Sequence, residues 1–360
     1  MSENNFKIAF LTLYPNTLSS RYRVYEYLPY FNKSGVDIKV YSAVSKEEFN
    51  KYYNSTSLIN RWKYHFAENE NRKNHLVEVK DADVIVVQKG FTLINWKKWL
   101  PEFQNLNIPI FYDIDDAVFL SPPAKAPKLL RNKEDENFYY RIISQSKGIL
   151  AGNKKLVEYV SELNSNVLLQ PTSINTDKYQ PKSDYRKKEK IIIGWIGTPG
   201  TRLYLNLLDQ VFTKLDSFPI EFHVISDKLD GINRENIPNI KLIEWSPETE
   251  LNALQNLDIG IMPIPDNEWT RYKCSFKLIQ YMGMGIPAIG SAVGNNLEVI
   301  ESGKNGFLAK SEDEWVEYLN LLCKDAGLRE KLGIEGRKTI EAKYSFEVNA
   351  PKMIEFLKDK

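Results

Sequence analysis

Apolar residues in this chain come in short unbroken runs rather than in strict alternation with polar ones. KIAFLTL (7–13), DIKVYSAV (37–44), DVIVVQ (83–88), IPIFYDI (108–114) and GILAG (148–152) predict strands. Val/Ile runs of this kind belong to strands buried on both faces, as in a parallel sheet. Helical stretches lie between them, such as the one from Arg21 to Phe31, and the alternation predicts a doubly wound α/β layer. KSDYRKKEK after Pro181 is charged and poor in apolar residues, which predicts a linker over 182–190. The pattern then restarts with KIIIGWIG (190–197), IEFHVIS (220–226), IKLIEW (240–245), DIGIMPI (258–264) and IPAIGSAV (286–293). The expected architecture is two Rossmann-like parallel-sheet domains, 1–181 and 191–343, facing across a cleft, with an amphipathic helix over 344–360. Ligands of open α/β sheets bind outside the carboxyl ends of the strands.

Composition narrows the function. A length of 360 residues exceeds one ordinary core, and 42% hydrophobic with 26% charged residues is globular composition. A net charge of +1 gives no global signal for nucleic acid, so any basic site is local. Cys274 and Cys323 are the only cysteines, which argues against a disulfide framework or a cysteine-rich zinc site. His65, His75 and His223 have no metal-ligand spacing. MSENNFKIAF runs into a strand without a signal-peptide layout, and no apolar run approaches the roughly 20 residues that span a bilayer. A cytoplasmic protein is expected, with a peripheral contact at the inner face of the membrane left open.

The local basic site is in CSFKLIQYMGMGIPAIG (274–290). Arg271, Lys273 and Lys277 gather at the start of a predicted helix, with no Asp or Glu between Glu268 and Glu298. A helix N-terminus normally attracts carboxylates, and its unpaired N–H groups hold phosphates. The pattern suggests an external anion; a solvated basic surface would give the same charge distribution. IGWIGTPGTRLYL (193–205) offers a second anion loop, where Gly197, Thr198, Thr201 and Arg202 stand at a strand-to-helix turn. It is neither a GxGxxG fingerprint nor a Walker A loop. Gly294-Asn295-Asn296 begins a short helix with Glu298 in its first turn, as a plain cap or as a sugar contact.

These residues resemble the retaining GT-B glycosyltransferases of glycosyltransferase family 4, and more narrowly bacterial members that make surface polysaccharides. MPIPDNEWTRYKCSFKLIQYMGMGIPAIGSAVGNNLEVI and NGFLA carry the resemblance over 190–310. SSRYRVYEYLPYF, YDIDDAVF and PTSINTDKY extend it more loosely, and YSFEVNAPKMIEFL resembles the family's last helix, which crosses back to the first domain. The resemblance implies transfer of a sugar from a UDP- or GDP-linked donor, without metal or other cofactor, to a glycan or lipid-linked acceptor. It places the donor diphosphate on Gly197, Thr198, Thr201, Arg202, Arg271, Lys273 and Lys277. It places the donor sugar and ribose on Tyr272, Gln280, Asn295, Asn296 and Glu298, and the acceptor near Ser20 and Arg21.

The chain departs from the family at two glutamates eight residues apart. Tyr272 and Gln280 stand there, so both carboxylates are lost. Gln280 keeps donor and acceptor capacity toward a ribose, whereas a neutral phenol gives the sugar no ionised acceptor. The family's histidine after the fourth strand is also replaced, by FYDIDDAVF. Asp113, Asp115 and Asp116 are therefore the candidates to orient or deprotonate the acceptor hydroxyl. A turn cap, or a D-x-D metal site of the kind another glycosyltransferase fold uses, are the other readings of that trio. RWKYHF (61–66) and NWKKWL (95–100) mix cations with aromatics, as on an anionic membrane surface or on half-buried amphipathic helices. The competing functions are a non-catalytic nucleotide- or glycan-binding subunit and a sugar-nucleotide epimerase.

Overall fold

The structure is a computed structural model that describes residues 5–52, 55, 57–93, 98–120, 134–186, 189–215, 218–237 and 239–359. The chain forms two compact units, one of Met1–Ser173 with Phe346–Lys360 and one of Ile174–Ser345.

In the first unit, β1 (Phe6–Thr12), α1 (Leu18–Arg23), α2 (Leu28–Lys33), β2 (Val36–Ser42), α3 (Lys46–Tyr52) and α4 (Leu58–Glu78) follow one another. Then come β3 (Val84–Gln88), α5 (Trp99–Gln104), β4 (Ile110–Ile114), α6 (Glu134–Gln145), β5 (Gly148–Ala151), α7 (Lys154–Ser161) and β6 (Val167–Leu169). The six strands are parallel in the order β2-β1-β3-β4-β5-β6. β3 and β4 are buried at every position, which explains their unbroken apolar sequence, while edge strand β2 is exposed at intervals. The single helix expected from Arg21 to Phe31 is broken: a 3-10 turn at Tyr25–Tyr27 separates α1 from α2, and Pro29 sits in the first turn of α2.

In the second unit, β7 (Ile191–Ile196), α8 (Pro199–Arg202), α9 (Asp209–Thr213), β8 (Ile220–Ser226), β9 (Ile240–Glu244), α10 (Glu250–Gln255) and β10 (Ile259–Met262) come first. α11 (Glu268–Arg271), α12 (Phe276–Gly283), β11 (Ala288–Ser291), α13 (Asn296–Val299), β12 (Phe307–Ala309), α14 (Glu312–Lys324) and α15 (Ala326–Lys343) complete it. Its strands are also all parallel, in the order β12-β11-β10-β7-β8-β9. β6 and β12 were not expected from the sequence. Both are three-residue strands at sheet edges, too short to show a hydrophobic run.

Lys182 and Tyr185, in the stretch expected as a linker, are bound into the second unit. Lys182 pairs with Asp258 at 2.6 Å, and the Tyr185 hydroxyl donates to Gly285 O at 2.6 Å. The chain instead passes between the units beside Ile174 and Ser345, which form a parallel bridge. α16 (Phe346–Lys358) then joins the first unit, where the buried Phe346 ring lies 4.2 Å from Tyr27 and 5.4 Å from Tyr30.

Both sheets reverse their strand order once, between β1 and β3 in the first unit and between β7 and β10 in the second. Helices leave on opposite faces at such a point, which opens a crevice at the carboxyl edge. Phe346→Ala is expected to lower the urea midpoint of the first unit, since emptying a buried phenylalanine site costs about 3–5 kcal/mol. Unchanged unfolding would mean that α16 contributes nothing to that core.

Candidate functional site

In the second unit, β10 pairs with β7 at only two positions, Ile259↔Ile193 and Gly260↔Gly194. Beyond them the Tyr281 phenol spans the ladder. It accepts from Ile196 N at 3.0 Å and donates to Ile261 O at 3.2 Å. Gly260 has no side chain because a Cβ there would stand 2.3 Å from the Tyr281 ring. One residue of α12 is thereby fixed at the switch point, and Lys277 lies one helical turn before it, on the same face.

The Lys277 ammonium lies 5.3 Å from the centre of the Trp195 ring and 3.5 Å from Thr201 Oγ1. Gly197 makes room for the Trp195 ring and the Lys277 stem, since a Cβ there would stand 2.5 Å from the ring and 2.8 Å from Lys277 Cε. Among the described residues no carboxylate pairs with Lys277. Burial, reinforced by the like charge of Lys273, pulls its pKa down to about 7. Ser275, at the N-cap of α12, has a left-handed backbone (φ 56°) and gives the helix no side-chain cap.

The other expected donor contacts divide. Lys273 stacks 5.6 Å from Trp269, and Thr198 caps α8 beside Gly197 without a side-chain bond. Arg271 does not join the cluster as an unbalanced cation. Asp266, just upstream of the acid-free stretch, holds it bidentately at 2.6 and 3.1 Å on the exposed surface. Arg202 is likewise engaged within the protein rather than open to a diphosphate. It is buried and clamps the loop after β8, donating to Asp227 Oδ1 at 2.9 Å, Asp230 O at 2.8 Å and Lys228 O at 3.0 Å. Asn296 is spent internally, accepting from Ser275 Oγ at 2.6 Å and donating to Ser291 O at 2.9 Å. Gln280 donates to Tyr179 Oη at 3.1 Å, and Tyr179 in turn donates to the buried Glu250 at 3.0 Å. Tyr272 is half-buried at the end of α11, Asn295 is buried and Glu298 is exposed. Gly294 (φ 54°) presses on the Arg271 backbone, 2.6 Å from where a Cβ would be.

At the switch point of the first unit, Ser20 donates to Gln88 Oε1 at 2.9 Å, and Gln88 donates to Ser19 at 3.2 Å. Asp113 is not available as a base. The buried Arg23 guanidinium grips both its oxygens and also donates to Gln170 O at 2.5 Å. Burial lowers the Arg23 pKa, but the Asp113 carboxylate more than reverses that, so the guanidinium ends above its ordinary value. Asp116 accepts from Ala117 N at 3.0 Å, a turn role. Arg21 pairs with Glu26 at 3.0 Å. Asp115 meets Lys89 at 3.3 Å, and Lys89 itself has a left-handed backbone (φ 66°). Non-glycine residues in that region concentrate at functional sites. Lys89 and Trp195 were missed from sequence. The signals were a polar QKG closing a wholly buried strand and a lone aromatic two residues before Gly197.

Two parallel sheets, each with a polar cluster at its own switch point, define a doubly wound α/β protein of the GT-B class. Residues 191–325, within the second unit, match the family described as glycosyl transferases group 1. A curated relative is the capsular polysaccharide biosynthesis glycosyltransferase CapM of Staphylococcus aureus, 20% identical over 225 residues. That alignment spans 59% of this chain and 57% of CapM, a little over half of each. Among solved structures, sucrose-phosphate synthase from Thermosynechococcus elongatus superposes with a TM-score of 0.77 over 99% of both chains at 12% identity. HepE of Anabaena, in complex with UDP and glucose, gives 0.71 over 99% of this chain and all of its own, at 11% identity. At these identities the likeness is one of fold.

Tyr281→Phe keeps the ring and strands two buried ladder groups, Ile196 N–H and Ile261 C=O. It is expected to cost about 1–3 kcal/mol in urea denaturation. A loss well below that range would show that the hydroxyl does not hold the gap.

Proposed function

We propose that the protein transfers a hexose-type sugar from a uridine or guanosine diphosphate carrier to a glycan or lipid-linked glycan acceptor in surface-polysaccharide synthesis, with retention at the anomeric carbon. The observation that carries this reading is the Lys277 ammonium, held at the β7/β10 switch point with no carboxylate partner among the described residues. A half-buried charge of this kind is stabilised by a counter-charge, and a diphosphate supplies one. Gly197, Thr198, Thr201 and Lys273 complete the surroundings of that anion. UDP and glucose in HepE, and the capsular role named for CapM, support the classes of donor and acceptor.

Breaking the bond from the anomeric carbon to the diphosphate leaves charge on the departing phosphate, and preorganised cations and N–H groups stabilise it. In this reading protein groups do that work, with no resident metal or other cofactor. Asp115, paired with Lys89, takes the acceptor-hydroxyl role that Asp113 cannot fill. Tyr272 and Gln280 in place of two glutamates favour a second reading, a binding subunit that holds nucleotide sugar without turning it over.

Lys277→Ala is expected to weaken UDP or GDP binding roughly 10- to 100-fold by calorimetry, since a hydrogen bond to a charged group contributes ~1.5–3 kcal/mol. The wild type should take up a proton on binding at about pH 8, because Lys277 is mostly neutral when free and charged when bound. Its affinity should fall as pH rises through 7 toward 9. Unchanged affinity in the variant would remove the anion site. Asp115→Asn should leave nucleotide affinity within about twofold and lower acceptor-dependent nucleotide release by ~10²–10⁴. Binding without release across a panel of donors and acceptors would select the second reading.

A further inference from the structure

Four side chains of the second unit form a chain of hydrogen bonds that ends on α12. Glu250, buried in the first turn of α10, accepts at both of its oxygens. Trp245 Nε1 donates to one at 2.8 Å, and the Tyr179 hydroxyl donates to the other at 3.0 Å. The Tyr179 proton is thereby committed, and its oxygen accepts from Gln280 Nε2 at 3.1 Å. The segment that carries Tyr179 is pinned to the end of α12 from behind. Arg337 donates to Thr176 O at 2.9 Å and also to the carbonyls of Tyr179 and Gly283.

A glutamine amide has one donating and one accepting end, and its partners decide which end faces which way. Tyr179 fixes the donating end of Gln280 inward, so Oε1 is the end left over. Gln280 is 3% exposed, yet among the described residues no group donates to that oxygen. Buried acceptors normally have a donor, so this one points to a ligand. Gln280 follows Lys277 by three residues, which sets both on one side of α12 about 5 Å apart along its axis. A nucleoside diphosphate with its phosphates at Lys277 carries its ribose hydroxyls over the next few atoms.

We propose that Glu250 and Tyr179 are positioning residues that lock the Gln280 amide with its carbonyl oxygen toward the nucleotide, so that the site reads a ribose hydroxyl as a hydrogen-bond donor. This rests on the donor reading above and deepens it. The missing glutamate at 280 is then no loss of an acceptor, because the carboxylate at 250 orients the amide to supply one.

The test is calorimetric binding of UDP, or of GDP if that binds tighter, beside its 2′-fluoro-2′-deoxy and 3′-fluoro-3′-deoxy forms. Fluorine nearly keeps the size of the hydroxyl and removes its proton. The wild type should prefer the parent nucleotide over one of the two analogues by roughly tenfold, since the carbonyl then loses its donor. Tyr179→Phe frees the amide to turn its N–H outward, and the preference should shrink to about twofold or less. Exchange of the two end groups tests the direction of the chain. Gln280→Glu alone sets two carboxylates on the one Tyr179 proton. Glu250→Gln alone leaves the Tyr179 and Trp245 donors a single acceptor. Each single variant should lower the urea midpoint. Glu250→Gln/Gln280→Glu reverses the chain and satisfies every member, with the new amide donating to Tyr179 and Tyr179 donating to the new carboxylate. Its midpoint should return close to the wild-type value, and the preference for the parent nucleotide should persist. No preference in the wild type, an unchanged preference in Tyr179→Phe, or a double variant as unstable as the two singles combined overturns the proposal and leaves the donor reading standing. A wild type that binds neither UDP nor GDP removes that reading and this proposal with it.

Discussion

Strands β7 and β10 lie side by side for two residue pairs and then leave a ladder gap that the Tyr281 hydroxyl fills. A buried backbone N–H or C=O without a partner is costly, so the phenol position is tightly constrained. Because Tyr281 belongs to α12, that constraint also sets the axial position of the helix and delivers Lys277 to Trp195 and Thr201. Small residues permit the arrangement: Gly260 admits the Tyr281 ring, and Gly197 the Trp195 ring with the Lys277 stem.

Charges withdrawn from solvent, wholly or in part, fall into two kinds in this protein. Arg23 with Asp113 and Arg202 with Asp227 are closed units, each cation meeting a carboxylate and backbone carbonyls. Their chemistry is used up in holding loops at the carboxyl edges of the sheets. Lys277 is of the other kind, with a ring face and a hydroxyl nearby but no carboxylate among the described residues. The low-dielectric surroundings that depress its pKa also strengthen its attraction for an anion that enters. In the first unit, Asp115 pairs with Lys89, whose backbone is left-handed, beside the closed Arg23–Asp113 unit.

Much of the fold was legible because parallel strands in the middle of a sheet are buried on both faces and mostly apolar. β3, β4, β7 and β10 therefore showed as nearly unbroken runs, whereas β8 mixes in Glu221 and His223. The edges were not legible: β6 and β12 are three residues each, and the break between α1 and α2 falls at a 3-10 turn that buries Tyr27 just before Pro29. The cation cluster was half legible. A run of cations without nearby acids pointed to Lys277, but the same count placed Arg271 there, because Asp266 lies just outside the stretch and reaches back to it.

The sequence by itself determined two parallel α/β layers, the turns at their carboxyl edges and a stretch of cations with too few acids, since each is a local matter of apolar runs and charge spacing. Only the tertiary structure decided which charges are already spoken for. Asp113 meets Arg23 across 90 residues and Arg202 meets Asp227 across 25, so those partners could not be read from neighbouring positions. It also decided that α4 turns its ionic side inward, because three carbonyls from separate elements converge on Arg72 and leave the apolar face to solvent.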